Sequence, residues 1–88
     1  MNSYYEVVGY ENRNGISKKS GKPYDIDIIY VIDQATIPAD TGYGKRVEVI
    51  TYNRLINGQL EAIPLVGDHI MPYYSRSGFV TDIVKVEI

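Results

Sequence analysis

Any chemistry in this chain must come from cations and tyrosines, because the usual catalytic and metal-binding residues are nearly absent. There is no cysteine and a single histidine, His69. That excludes a thiolate zinc site, a multi-histidine metal centre and a cysteine nucleophile, and a Ser-His-Asp arrangement would hang on His69 alone. His69 reads more simply as an ordinary turn-flanking histidine. Residues 13–24 read RNGISKKSGKPY. They carry Arg13, Lys18, Lys19 and Lys22 with no acid, and Tyr24 closes the run. The combination recurs in Tyr43-Gly44-Lys45-Arg46 and in Tyr73-Tyr74-Ser75-Arg76, with Phe79 just beyond. Cations to neutralise phosphates and flat rings to carry bases are the two requirements of a sequence-tolerant single-strand binder. Each stacked base contributes roughly 1–3 kcal/mol.

Each cluster also has a plainer reading. A lysine-rich loop can serve solubility alone. Tyr30 sits mid-strand among isoleucines and reads as core, while Tyr4, Tyr5, Tyr10 and Tyr52 lack basic neighbours and read as packing residues. Tyr24, Tyr43 and one of Tyr73 and Tyr74 flank turns beside cations and are the better stacking platforms. Asp25 and Asp27 form a D-x-D pair that could face a cation, but no further oxygen ligands lie nearby in sequence. A solvated strand face is the expected role. Gly42-Tyr43-Gly44-Lys45-Arg46 lacks the spacing of a phosphate-binding loop and leads into no helix.

The bulk charge points away from polyanions. The net charge is −2, where a generic nucleic-acid binder is basic. The distribution matters more, since screening over roughly 10 Å lets a local basic loop act within an acidic chain. Asp25, Asp27, Asp33 and Asp40 follow the basic run, and no base intervenes before Lys45.

The elements that must position these residues are strands. No window keeps apolar residues at helical spacing over three turns, whereas period-2 and β-branched stretches recur. A first strand is expected over 4–11, with Gly9 marking a bulge or bend. A polar loop with Asn14-Gly15 and Ser20-Gly21 follows, then a second strand over 24–33. There Tyr24, Ile26, Ile28, Tyr30 and Ile32 share one face, and Asp25 and Asp27 point the other way. A third strand spans 45–52, a single helical turn is expected around 53–56 before Asn57-Gly58, and a weak strand, interrupted by Pro64, covers 60–65. A final hairpin, 69–74 and 79–88, turns at Ser75-Arg76-Ser77-Gly78. In its last strand Val80, Val84, Val86 and Ile88 share a side.

Eighty-eight residues make one domain, 1–88. Five or so strands in that length fit an OB-type barrel, an SH3-like barrel or a half-sandwich completed by a partner, with closure favoured because it removes sheet edges. Of these the expectation is an all-β, five-stranded OB-type barrel with a protruding β-hairpin wing, the form implied by the resemblance of residues 15–24 to a known family. So small a chain without disulfides is marginal alone, which makes a homodimer a reasonable expectation. No apolar run reaches the length of a membrane span and no signal-peptide pattern opens the chain, so a cytoplasmic protein without a membrane partner is expected.

The run Gly15-Ile16-Ser17-Lys18-Lys19-Ser20-Gly21-Lys22-Pro23-Tyr24 resembles the DNA-binding wing of the filamentous-phage helix-destabilising (gene V type) proteins. The chain lengths are also similar. The resemblance covers roughly a fifth of the chain and implies a dimeric OB-type barrel that coats single-stranded DNA cooperatively during replication. It implies that Arg13, one of Lys18 and Lys19, and Lys22 contact phosphate, that Tyr24 stacks on a base, and that Ile26 packs beside it. Lys45 or Arg46 would extend the basic path, and Tyr43 resembles the family's stacking tyrosine ahead of the third strand. The final hairpin would lie at the dyad, with Tyr73, Tyr74 or Phe79 presenting an aromatic, Arg76 in the turn, and Lys85 keeping a basic position. Ile83 departs from the family, which tends to have an arginine there. The wing is also one residue longer, and the acidic net charge is a further departure.

The expectation is therefore a non-catalytic binder of single-stranded DNA, with RNA a related ligand, needing no cofactor or small-molecule substrate. It would belong to a phage or mobile element in a bacterial cell. An SH3-like module for proline-rich peptides is the alternative, and it accommodates the acidic charge more easily. An enzyme has the least to build with.

Overall fold

The computed structural model describes residues 4–60 and 62–87, with Thr36 described through its backbone. Five strands and one helical turn run in chain order: β1 (Tyr5–Ile16), β2 (Pro23–Thr36), β3 (Lys45–Asn53), α1 (Arg54–Asn57), β4 (His69–Tyr74) and β5 (Val80–Val86). They form a single antiparallel sheet in the order β3-β2-β1-β4-β5. The chain is all-β, as its periodicity predicts. No helix among the described residues is long and apolar enough to cross a membrane.

β1 and β2 outrun their expected limits. Asn14-Gly15, read as a turn, continues β1, and pairing persists to Ile16↔Pro23. The reversal is made instead by residues 17–22, where the Ser17 amide donates to the Lys22 carbonyl at 2.9 Å and Gly21 takes a φ of +69°. Of the two Gly-containing turn signals, the one at Ser20-Gly21 is used. β3 accompanies β2 only as far as Ile26↔Asn53. Beyond that point β1 and β2 continue as a two-stranded hairpin, the expected wing.

The strand order brings β3 and β5, the two edges, within 8 Å of each other without a ladder between them among the described residues. The expected barrel closure is thus not made by strand pairing. The reason is local: β3 runs straight into α1, which occupies the seam. Asn53 caps the turn, its Oδ1 accepting from the Leu55 amide at 3.0 Å and the Ile56 amide at 3.4 Å, and Gly58 ends it at a φ of +81°. Helical expectation and outcome agree here. Asn57 then ties the seam: its Nδ2 donates to the Val80 carbonyl of β5 at 3.1 Å, and its carbonyl accepts from the Tyr52 hydroxyl of β3 at 3.3 Å.

The core comprises Val7, Ile29, Val31, Ile50 and Ile70, with Tyr5, Tyr10, Val80 and Ile83 packed against it. Tyr52 is also buried, and Tyr4 rests edge-on against the His69 ring. These tyrosines pack as predicted. Tyr30 does not. It lies on the outer face of β2, its ring across Gly9, and its hydroxyl donates to Glu11 at 2.7 Å. Gly9 adjoins the β1 register shift that its sequence position suggests. No strand forms over the described part of 60–65, Glu61 lying outside the described residues as does Ile88. Pro64 is buried there, and Leu65 closes a turn with Asp68.

Candidate nucleic-acid interface

β2 sets the site because it has two different faces. Cross-strand partners share a face, so the register places Gly15, Arg13, Glu11 and Gly9 of β1 beside Tyr24, Ile26, Ile28 and Tyr30 of β2. Asn53, Thr51, Val49 and Val47 of β3 continue the same outer face. Its side chains are half-exposed or exposed, with Tyr24 at 40%, Val49 at 56% and Val47 at 71%. The two tyrosines each lie over a glycine of β1. A Cβ on Gly15 would stand 3.2 Å from the Tyr24 hydroxyl, and one on Gly9 would stand 3.3 Å from Tyr30 Cδ2. Glycine there lets a ring lie flat along the sheet.

At the wing end this face deepens into a groove of about 560 Å³. Ile26, Thr51 and Asn53 form its floor, Ile56 and Asn57 of α1 one wall, and Ser75, Ser77, Phe79, Val80 and Thr81 of the final hairpin the other. Among the described residues, no charged one lines it. Phe79 and Ile56 stand 72% and 79% exposed at its rim. The Ser75–Phe79 turn is fixed by the Ser75 amide donating to the Phe79 carbonyl at 2.8 Å and by Ser75 Oγ accepting from the Phe79 amide at 3.2 Å. An apolar slot edged by hydroxyls and amides can accept a flat heterocycle and hydrogen-bond its rim.

The opposite face of β2 turns inward, and with it Asp27. The solvated D-x-D face expected from the sequence is overturned: Asp27 is 0% exposed. Arg54 Nε donates to its Oδ2 at 2.7 Å, Tyr10 donates to Oδ1, and Asn12 Nδ2 reaches Oδ1 at 3.2 Å and Asp25 at 2.8 Å. Arg54 Nη2 also donates to the Tyr10 hydroxyl at 3.1 Å. Burial pushes the Asp27 pKa up, but the hydrogen bonds from Arg54, Tyr10 and Asn12 together outweigh it and hold the carboxyl below its usual value. Asp27 raises the Arg54 pKa in turn, through their hydrogen bond above all. On the outer face, the Tyr30 hydroxyl is the main reason the Glu11 pKa lies low.

The expected site residues separate into groups. Ile26 and Phe79 line the groove, and Tyr24 lies two residues along the same face of β2, outside that lining. Lys18, Lys19 and Lys22 are exposed in the wing turn beyond Tyr24, and Arg76 is exposed in the hairpin turn whose neighbours line the groove. Arg13 lies on the outer face but is bonded to Glu11 at 3.0 Å. Tyr43 (92% exposed), Lys45 and Arg46 lie at the far end of β2, beside Thr36 rather than Pro23. At ~3.3 Å per residue that separates them from the wing by roughly the length of the sheet. They do not join the groove cluster. Tyr73 and Tyr74 are half-exposed on β4, outside the groove. Lys85 pairs with Asp68 at 3.5 Å and lines a second, smaller hollow with Ile63, Pro64 and Ile83, away from the wing. Among the described residues, no three potential ligand side chains gather for a metal ion.

The groove residues unnoticed in the sequence are Thr51, Asn53, Ile56, Asn57, Ser75, Ser77, Val80 and Thr81. Of these, only the helical turn expected around 53–56 and its Asn57-Gly58 stop were visible in the sequence, and neither marked the turn as a wall of a groove. The chain matches no family model, no curated protein and no solved structure.

Proposed function

We propose that this chain binds single-stranded nucleic acid, DNA foremost, without catalysis, as a helix-destabilising protein of phage or mobile-element replication, working as a dimer on an OB-type scaffold. One observation carries the reading: an acid-free basic turn adjoins a face on which exposed Tyr24 lies two residues along β2 from Ile26, and Ile26 and Phe79 line a groove with no charged residue among its described lining. Lys18, Lys19, Lys22 and Arg76 would neutralise phosphates and release counterions, while Tyr24 and Phe79 offer stacking surfaces for bases. The resemblance of residues 15–24 to the gene V type wing supports the same ligand.

The test is a salt titration of oligo-dT binding, followed by tyrosine fluorescence. Single strands give a slope of about 0.7 per neutralised phosphate, so Lys18→Ala/Lys19→Ala/Lys22→Ala is expected to lower the slope by about 2. Failure to bind oligo-dT at low salt sinks the proposal. The lack of charge in the groove favours one rival, an SH3-like peptide module. A ligand held with the same affinity in low and high salt, and indifferent to the lysine substitutions, would select it.

A further inference from the structure

β3 is an edge strand, and among the described residues no strand pairs with the open side of its first half. β5 approaches the end at which Tyr52 and Asn57 tie the seam, and residues 45–49 are all exposed. Five consecutive exposed residues on a strand with one open edge invite a further strand, and an apolar Val47 at 71% exposure is poor protection against one. The side chains on this segment show which strand would fit. Lys45, Val47 and Val49 share the outer face, while Arg46 and Glu48 alternate with them on the other.

We propose that the open half of β3 pairs antiparallel with the same segment of a second copy, with Val47 on the two-fold axis. In that register Arg46 of each copy faces Glu48 of the other, giving two opposite-charge pairs from one short stretch. Lys45 then faces Val49, over which its aliphatic stem can lie. Centring the axis on Arg46 or on Glu48 instead sets like charges face to face. The sequence Arg46-Val47-Glu48 is therefore self-complementary in one register and repulsive in the two nearest that keep the faces aligned. Among the described residues Arg46 makes no ion pair within its own chain. Because facing residues share a side, pairing would join two outer faces into one continuous surface with a wing at each far end.

This interface differs from the final hairpin that the gene V resemblance implies, and it is independent of nucleic acid. Sedimentation of the free protein over a dilution series therefore tests it apart from DNA binding. Wild type is expected to dimerise reversibly. Arg46→Glu or Glu48→Arg alone sets like charges opposite each other at both pairs and should weaken the dimer about tenfold or more. An equimolar mixture of the two single variants should form a heterodimer, since every facing pair is again opposite in sign. The double variant Arg46→Glu/Glu48→Arg should recover the homodimer for the same reason. Recovery on mixing also shows that each single variant is folded. A wild type that stays monomeric throughout overturns the proposal. So does a dimer that ignores both charge reversals but is lost on Tyr73→Asp or Val84→Asp in the final hairpin.

Discussion

The two faces of β2 carry opposite solutions from one alternating sequence. One presents Tyr24, Ile26, Ile28, Tyr30 and Ile32, of which Tyr30 reads as core, and lies outside, flanked by β1 and β3. The other carries Asp25 and Asp27, reads as solvated at its start, and is the one that buries Asp27, Ile29 and Val31. Burial follows compensation rather than composition. A carboxylate goes inside when enough donors converge on it, and apolar side chains stay outside when the opposite face already fills the core. The outer face then stays open to solvent, and the inner face ties α1 to β2 through Arg54.

The largest break in this comparison is Asp27→Ala. It strands the Arg54 guanidinium and leaves the Tyr10 hydroxyl without its acceptor, so urea denaturation should show a loss of about 3 kcal/mol or more. Replacing both charges, Asp27→Leu with Arg54→Met, should recover part of that loss because no charge is then left unpaired. The same carboxylate sets a pH dependence. Its folded pKa lies below the roughly 3.9 of an unfolded aspartate, so its contribution is full above about pH 4. That contribution fades as pH falls through the folded value. Acid denaturation curves should therefore flatten in Asp27→Asn, and an unchanged acid limb would separate Asp27 from the effect.

The outer face predicts the reverse behaviour, binding lost with stability kept. Phe79→Ala removes a ring that is 72% exposed at the groove rim. Thermal stability should stay within roughly 0.5 kcal/mol of wild type, as for an ordinary surface change. Oligo-dT affinity should fall by about 1–3 kcal/mol, or roughly 5- to 150-fold, if a base stacks there. A drop in stability without a drop in affinity would assign Phe79 to packing.

Much of the strand pattern was legible, and the reason lies in its local causes. Alternation in 24–33, the breaks around Gly21 and Gly78, and the short turn ended by Asn57-Gly58 all have causes within a few residues. The inward turn of Asp27 has no local cause. Its partner Arg54 lies in α1 and its others, Tyr10 and Asn12, in β1, so only the folded sheet brings them together. The groove was half legible for the same reason. Ile26 and Phe79 stood out in the sequence, while the hydroxyls and amides around them carry no signal until β2, α1 and the final hairpin converge. The separation of Tyr43, Lys45 and Arg46 from the wing follows from the length of β2, which runs on to Thr36 beyond its expected end.

The smallest prediction tests how far the outer face depends on its glycines. Gly9→Ala introduces a Cβ 3.3 Å from Tyr30 Cδ2, tighter than ordinary contact, and no positive φ adds strain at this position. The ring must shift by a few tenths of an ångström, but it lies on an open face rather than in the core. Its tether is the hydrogen bond to Glu11 at 2.7 Å. The cost should therefore be about 1 kcal/mol, at the low end for an overpacked site. Adding Tyr30→Phe should reduce that cost, because the freed ring can slide without breaking a bond. If Gly9→Ala costs as much in the Tyr30→Phe background as in wild type, the close contact acts through the β1 backbone, and the ring is a passenger on that face.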